Sequence, residues 1–196
     1  MLALCIGMLA SCEGTKKEEP KQEEQPKAET LIVENTISTD REFMFLNFDE
    51  DYRWYETCIL MKDFMDEDPS GNVEAVTSIF QVVTERETGF DTHVVMTIHT
   101  LDTSDIEIVR GFWVEDFPMN EEEITITFAE AFELVMETNC PKPHSQHCVL
   151  RKEVGPKAAN PQYIFGNSKG QIYVDAVSGE VSVKNPVLDG PLGEWP

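Results

Sequence analysis

The chain has 196 residues, of which 37 are Asp or Glu and 15 are Lys or Arg, so its formal net charge is −22 at neutral pH. This balance argues against nucleic-acid binding, because such proteins gain affinity from Lys and Arg that neutralise phosphates. Anionic lipid would also repel the chain, so contact with a membrane is expected only through a covalently attached anchor.

Residues 1–11 are mostly apolar and carry no charged side chain. The run is shorter than the roughly 20 apolar residues that span a bilayer, and it is typical of a signal peptide. The alternative is a buried apolar strand. The run leads into Leu9-Ala10-Ser11-Cys12, which resembles the lipobox of bacterial lipoproteins. The resemblance implies cleavage after residue 11, diacylglycerol on the Cys12 thiol, and a membrane-anchored protein of the bacterial cell envelope, periplasmic or exposed at the outer membrane.

Residues 13–30 are rich in Glu, Lys, Gln and Pro and contain no aromatic or large aliphatic side chain. Such a composition buries too little apolar surface to offset the entropy of ordering. We therefore expect residues 12–40 to be the lipidated cysteine followed by a flexible acidic tether. Two halves are expected after it, a β-rich one over 41–119 and a second one over 120–196.

The first of these halves shows the two-residue period of β-strands. Alternating apolar residues predict a meander over 73–116, with breaks at the turn-forming residues of 87–89 and 102–105. Residues 51–66 are ambiguous, since some of their apolar side chains lie at helical spacing. Because Tyr, Trp, Thr, Cys and Ile are middling helix formers, we favour a strand there.

In the second half, the clearest element is a helix over about 128–138. Thr127 and Glu130 form a capping box at its start, and an apolar stripe follows at spacings of three and four. Four strands are expected after it, at 147–154, 161–166, 171–177 and 180–184. The predicted fold class is α+β, an antiparallel sheet with one or two helices packed on a face.

The last predicted hairpin carries a family resemblance. Residues 172–181, IYVDAVSGEV, resemble the terminal hairpin of PepSY domains, and the resemblance covers about 124–184. It implies a non-catalytic module without cofactor that binds or restrains a protein partner, proteases being one such class. Residues 43–117 would be a diverged copy of this unit if 51–66 were helical. The hairpin residues implied to be structural are Tyr173, Val174, Asp175 and Gly179.

Five cysteines are present, and two of them fall in the signal peptide and at the anchor. The other three are Cys58, Cys140 and Cys148, and pairing is expected because an exported protein meets an oxidising compartment. We predict a Cys140–Cys148 disulfide and a buried free thiol at Cys58. The alternatives are free thiols, or a metal site among the Cys and His side chains of 140–148, whose spacing matches no familiar zinc signature.

No catalytic motif is found, whether a Gly-x-Ser-x-Gly elbow, a His-Glu-x-x-His helix or a phosphate loop. We therefore predict a non-enzymatic envelope protein that binds a protein partner. The alternatives are a cryptic hydrolase, or a surface lipoprotein that binds a small ligand or glycan, with Trp54, Trp113 and Trp195 as stacking platforms. His93 and His99 are expected to be solvent-facing and about 20 Å apart on one strand.

Overall fold

The computed structural model describes residues 30–49, 51–62, 71–86, 89–114, 116–138, 143–154, 160–167 and 170–184. In chain order these residues form α1 (Val33–Phe48), β1 (Tyr52–Met61), β2 (Val73–Arg86), β3 (Gly89–Thr100), β4 (Ser104–Arg110), β5 (Asp116–Phe117), α2 (Phe128–Glu137), β6 (Pro143–Glu153), β7 (Gln162–Asn167), β8 (Gly170–Asp175) and β9 (Val181–Lys184). The fold is α+β with an antiparallel sheet, as predicted.

The strands lie in the order β4-β3-β2-β1-β6-β7-β8-β9, and the short β5 pairs with β6. Each half of the chain therefore contributes a helix followed by a four-strand meander. The halves join where β1 pairs with β6, from Glu56 opposite Arg151 to Leu60 opposite His147. The first strand of each meander lies at the centre of the sheet, and the last strand lies at an edge.

The condition on which the predicted repeat over 43–117 depended, a helix at 51–66, is not met. Residues 52–61 are a strand, which confirms the favoured interpretation and makes a helix at that place wrong. The helix of the first half is α1, which begins at Val33, inside the segment assigned to the tether. In the second half β6 begins at Pro143, earlier than the strand predicted from residue 147.

The helix α1 buries Val33, Ile37, Asp40 and Met44, whose spacing places them on one face. Because one of the four is an aspartate, the apolar stripe is interrupted in the sequence. The helix begins after Ile32 with no side-chain cap, so the usual start signal is missing as well. A helix without a cap or a continuous stripe is hard to recognise from local pattern.

The helix α2 has both signals. The Thr127 hydroxyl accepts a hydrogen bond from the Glu130 N–H, and the Glu130 carboxylate accepts one from the Thr127 N–H, at 3.2 and 2.8 Å. The predicted capping box is thus confirmed. The bond from the Thr127 N–H, and after it a bond of 2.8 Å from the Thr127 hydroxyl to the same carboxylate, lower the pKa of Glu130. A carboxylate of α1 also caps the start of α2: Glu34 Oε1 accepts a hydrogen bond from the Phe128 N–H at 2.6 Å.

The main core lies between the two helices and one face of the sheet. Its centre includes side chains that are fully buried, among them Ile59, Val76, Phe80, Leu150, Phe165 and Ile172. Fully burying an aliphatic or aromatic side chain of this size contributes about 1.5–3 kcal/mol. On α2, the Phe128 ring lies 6.2 Å from Tyr163 and 6.1 Å from Phe165. Both halves therefore contribute to one continuous core.

The connection between the halves runs back along the sheet from β4 to β6. The Gly111 N–H donates to Thr92 O at 3.0 Å, and the Trp113 N–H donates to the Gln81 side chain at 3.0 Å. Asp116 then pairs with Glu153 as part of β5. This path brings the Asp116 carboxylate to the junction of the two halves.

Candidate functional site

The strand β4 forms one edge of the sheet, and all seven of its residues are exposed. It pairs with β3 in an unbroken register, from Arg110 opposite His93 to Ser104 opposite His99. Among the described strands, none pairs with its other side. An edge strand presents a row of backbone N–H and C=O groups that another chain can pair with.

Large apolar side chains are exposed along β4 and just after it. The exposed fraction is 42% for Ile106, 55% for Ile108 and 52% for Val109. Phe112 and Val114 follow with exposed fractions of 72% and 78%. Ile106 and Ile108 share one face of β4, and exposed apolar side chains that lie side by side in this way mark a binding surface.

A groove runs beside this edge, between α1 and β4, with β3 as its floor. It exists because α1 packs mainly against β1 and β2, which leaves β3 and β4 less covered. One part of about 480 Å³ lies along the middle of α1, and another of about 350 Å³ lies toward its start. Three residues, Thr39, His99 and Ser104, line both parts.

Asp40, His99 and Ser104 form a hydrogen-bonded chain in this groove. His99 Nε2 lies 2.6 Å from Asp40 Oδ1, and His99 Nδ1 lies 2.9 Å from Ser104 Oγ. The side chain of His99 is 20% exposed and that of Asp40 is 2% exposed. The prediction that His99 faces solvent is therefore wrong. Sequence reasoning missed the pair because Asp40 lies 59 residues away, on a helix that was not predicted.

The order carboxylate, imidazole, hydroxyl is also that of the Ser-His-Asp triad. Acyl transfer needs hydrogen-bond donors where negative charge develops on the substrate oxygen. Ser104 is exposed on the edge strand β4, and its hydroxyl is bonded to the His99 ring.

A second polar cluster lies at the junction of the two halves, where three carboxylates surround Arg151. The guanidinium lies 2.9 Å from Glu153, 3.7 Å from Asp116 and 3.8 Å from Glu56. Burial raises the pKa of Glu56, and the Asp116 carboxylate raises it further, against the opposing effects of Cys58 and Arg151. The cluster holds β1, β5 and β6 together.

The two described cysteines, Cys58 and Cys148, form no disulfide with any described residue. Cys58 is half-buried and donates to Glu56 at 3.2 Å, and burial raises its pKa to about 12, so the thiol is unreactive at neutral pH. Cys148 is fully buried. Because Cys58 lies opposite Val149 while Cys148 lies opposite Ile59, the two thiols are on opposite faces of the sheet.

The remaining predicted ligands and anchors are only partly described. Cys12 and Cys140 lie outside the described residues, so lipidation and the Cys140–Cys148 disulfide stay predictions. His147 is exposed and its neighbour Cys148 is buried, so the two point to opposite faces, as expected. No group of three or more His, Cys, Asp or Glu able to hold a metal ion occurs within the described part of the chain.

The four hairpin residues expected to be structural, Tyr173, Val174, Asp175 and Gly179, lie in β8 and in the turn after it. Asp175 Oδ1 accepts from the N–H groups of Val177 and Ser178 at 2.9 and 2.8 Å. Burial raises the pKa of Asp175, but these and two side-chain hydrogen bonds outweigh that effect and lower it. Gly179 adopts a positive φ of 74° in the turn that follows. Val174 is fully buried, and the Tyr173 hydroxyl bonds to Gln171 at 2.6 Å.

The tryptophans do not form an exposed stacking surface where they are described. Trp54 is 2% exposed, and its indole N–H donates to Thr57 Oγ1 at 3.1 Å. Trp113 is half-buried, and its indole N–H donates to Asp116 at 3.3 Å. Trp195 lies outside the described residues. The glycan-binding alternative therefore loses the support of Trp54 and Trp113, and its third tryptophan, Trp195, stays a prediction.

Neither a family model, nor a curated protein sequence, nor a solved structure matches this chain. Of the two α-helices in the described ranges, neither is long and apolar enough to cross a bilayer. Function is therefore inferred from the exposed edge, the groove and the sequence features at the start of the chain.

Proposed function

We propose that the chain is a lipid-anchored, non-enzymatic protein of the bacterial cell envelope that binds a protein partner by strand addition to β4. The observation that carries this proposal is the exposure of β4 along its whole length, with Ile106 and Ile108 uncovered. In strand addition, backbone hydrogen bonds supply affinity, and the pockets for alternate side chains supply specificity.

β4 carries the charged residues Asp105, Glu107 and Arg110 but lacks the other features that shield natural edge strands. Natural edge strands are commonly shielded by proline, by bulges or by great shortness. The seven residues of β4 contain no proline, and their register with β3 is unbroken. At the opposite edge, β9 has only four residues.

The chemistry of β4 specifies the partner segment. Ile106 and Ile108 lie opposite Thr97 and Val95, so they point to the helix side of the sheet. Asp105 and Glu107 alternate with them and point to the other side. A matching segment is extended, with apolar residues on one face and basic residues on the other. The net charge of −22 would speed association with such a basic segment.

The lipid anchor and the PepSY-like module complete the proposal. A diacylglycerol at Cys12 supplies two acyl chains, which is enough for stable attachment to a membrane, and the acidic chain itself would not bind anionic lipid. The order of α2 and the four strands β6 to β9 agrees with the PepSY resemblance and supports a role in binding or restraining a partner such as a protease.

Site-specific crosslinking in the full chain tests the binding surface. A photoreactive phenylalanine at Ile108 is expected to give an adduct with one protein in intact envelopes. For the variants, the photoreactive residue is placed at Val109 instead. The pair of substitutions Ile106→Lys and Ile108→Lys should lower the yield of the adduct with the same protein about tenfold, since lysine repels a basic partner. Val183→Lys, at the exposed edge strand β9, is the matched control and should leave the yield unchanged. The same adduct yield from a photoreactive residue at position 183 as from one at position 108 would contradict strand addition at β4.

Metabolic labelling tests the anchor separately. The wild-type chain should incorporate radioactive palmitate and remain with the membrane fraction, whereas Cys12→Ala should lose both the label and the membrane association. A Cys58→Ala chain is the matched control and should keep them. Retention of the label by Cys12→Ala would show that the lipid is attached elsewhere or that the lipobox interpretation is wrong.

A further inference from the structure

Two buried polar atoms in the groove between α1 and β4 lack hydrogen-bond partners among the described residues. They are Asp40 Oδ2 and Thr97 Oγ1. The side chain of Asp40 and the whole of Thr97 are only 2% and 1% exposed, and both residues line the larger part of the groove. Leaving such atoms unpaired is costly, and native proteins pair the great majority of them. A group that enters the groove and donates hydrogen bonds would satisfy both.

The charge at the groove favours a cation as that group. Asp40 lines it, and no Lys or Arg is found among the described lining residues, whereas the side chain of Asp105 points to the other side of the sheet. His99 engages only one oxygen of Asp40, at 2.6 Å, and the other oxygen, buried in the wall of the groove, has no donor among the described residues. A buried carboxylate of this kind is stabilised by a positive donor more than by a neutral one.

The number of open acceptors distinguishes between the two common protein cations. A guanidinium binds best when it meets both oxygens of a carboxylate in a planar fork. At Asp40 one of the two oxygens is already occupied by His99. A primary ammonium is a compact charge with three donors and no acceptor, so it suits one carboxylate oxygen together with one hydroxyl.

The groove also provides apolar contact for a stem that carries such a charge. Phe43 on α1 and Ile106 on β4 line the same part of it as Asp40. Ile106 is 42% exposed, so apolar surface is still open there. A straight aliphatic stem covers such surface while its charged end reaches a polar group.

We propose that this groove is a binding site for a primary ammonium group on an aliphatic stem, with Asp40 Oδ2 and Thr97 Oγ1 accepting its hydrogen bonds. The side chain of lysine and a free alkylamine both have this chemistry. The inference stands apart from strand addition at β4, because it depends on the groove and not on the backbone of the edge strand.

Ligand-detected NMR with the full chain tests this site. The first probe is Nα-acetyl-lysine-N-methylamide, and its control is the norleucine analogue, which has the same stem without the ammonium. The lysine probe should bind at least about tenfold more tightly, as expected for a charge-assisted hydrogen bond to a buried carboxylate. Butylammonium is the third probe: equal affinity would identify a free amine as sufficient, and weaker affinity would identify a lysine within a polypeptide.

Two variants locate the binding. Asp40→Asn keeps an oxygen for His99 but replaces the open oxygen with an amide donor, so binding of the lysine probe should fall at least tenfold. Asp91→Asn, a carboxylate near the far end of β3, is the matched control and should bind as the wild type does. Thr97→Val removes the second acceptor, and a severalfold loss is expected in a chain that folds at least as stably, because a buried unpaired hydroxyl is lost.

The results can overturn the proposal in two ways. Equal binding of the lysine and norleucine probes would show that the ammonium is not recognised. Unchanged binding in a folded Asp40→Asn chain, as judged by its thermal unfolding, would show that the site lies elsewhere. Neither result would affect crosslinking at Ile108, so failure of this site and failure of strand addition are distinguishable.

Discussion

α1 and α2 lie on the same face of the sheet, each at the start of a four-strand meander, yet they bury different kinds of side chain. The buried face of α2 is wholly apolar, with Phe128 and Phe132 packed against aromatic rings. The buried face of α1 includes Asp40, which is held by His99 of β3. The helix that buries a charged side chain, α1, is the one that borders the groove, so the unusual buried residue lies at the candidate site.

The first prediction compares apolar burial in the two helices. Phe128→Ala should lower the free energy of unfolding by about 3–5 kcal/mol and Met44→Ala by about 2–4 kcal/mol, because both leave a cavity and the lost ring is larger. Urea unfolding of the full chain measures both values. Leu46→Ala, at a site 74% exposed on α1, is the control and should change stability by less than about 0.5 kcal/mol. A larger loss at Met44 would show that α1 carries more of the core than its interrupted stripe indicates.

The second prediction concerns the polar residue in the buried face of α1. Asp40→Leu alone should cost about 2–3 kcal/mol, because it leaves His99 Nε2 without its acceptor. Combining it with His99→Leu should restore stability to within about 1 kcal/mol of the wild type, since apolar pairs commonly replace buried polar pairs at little cost. Urea unfolding of both variants tests this. A double variant as unstable as the single one would show that the pair is needed for the fold itself.

The third prediction concerns the starts of the two helices. Thr127→Ala removes one side of the capping box of α2 and should cost about 1 kcal/mol. Asn35→Ala, near the start of α1, should have almost no effect, because α1 has no side-chain cap to lose. Thermal unfolding measures the stability of both variants. Equal stability of the two would show that water replaces the capping bonds of α2 at no cost in free energy.

The smallest effects are expected in the pH dependence of the two halves, and they should have opposite signs. Because the pKa of Glu56 is raised in the folded state, its contribution to stability falls as pH rises above its ordinary value of 4.5. Because the pKa of Asp175 is lowered, its contribution is present above its ordinary value of 3.8 and is lost as pH falls below it. Glu56→Gln should therefore flatten the loss of stability above pH 4.5, and Asp175→Asn should flatten the loss below pH 3.8.

Stability measured by urea unfolding across this pH range tests both signs in one series. Glu180→Gln, an exposed carboxylate on the same hairpin as Asp175, is the control and should leave the profile unchanged. Profiles that shift in the same direction for Glu56→Gln and Asp175→Asn would contradict the assigned hydrogen bonds and burial.

The elements that sequence reasoning predicted correctly are those with a local signature. The box formed by Thr127 and Glu130 marks the start of α2 within four residues, and the two-residue alternation around Val94 and Ile98 marks β3. Each depends on residues that are close in the chain, so no knowledge of the fold was needed. The strand at 52–61 was predicted from the composition of that segment alone. The prediction is correct, and it too depended only on residues close in the chain.

The features that sequence reasoning missed depend on contacts between distant residues. Asp40 and His99 are 59 residues apart, and Arg151 meets Glu56 only because β1 pairs with β6. A charged residue alone in a helical stripe counts against the helix until its partner is known. For that reason α1 was assigned to the tether and His99 to the solvent.

The sequence by itself determined the acidic charge, the second helix with its cap, the strands of both meanders and the general α+β class, since composition and short-range periodicity carry these properties. Only the tertiary structure decided that β4 is an edge, that β1 and β6 join the halves, and that a buried carboxylate faces a groove beside that edge. Strand order and burial follow from which distant segments pack together, and no local pattern contains that information.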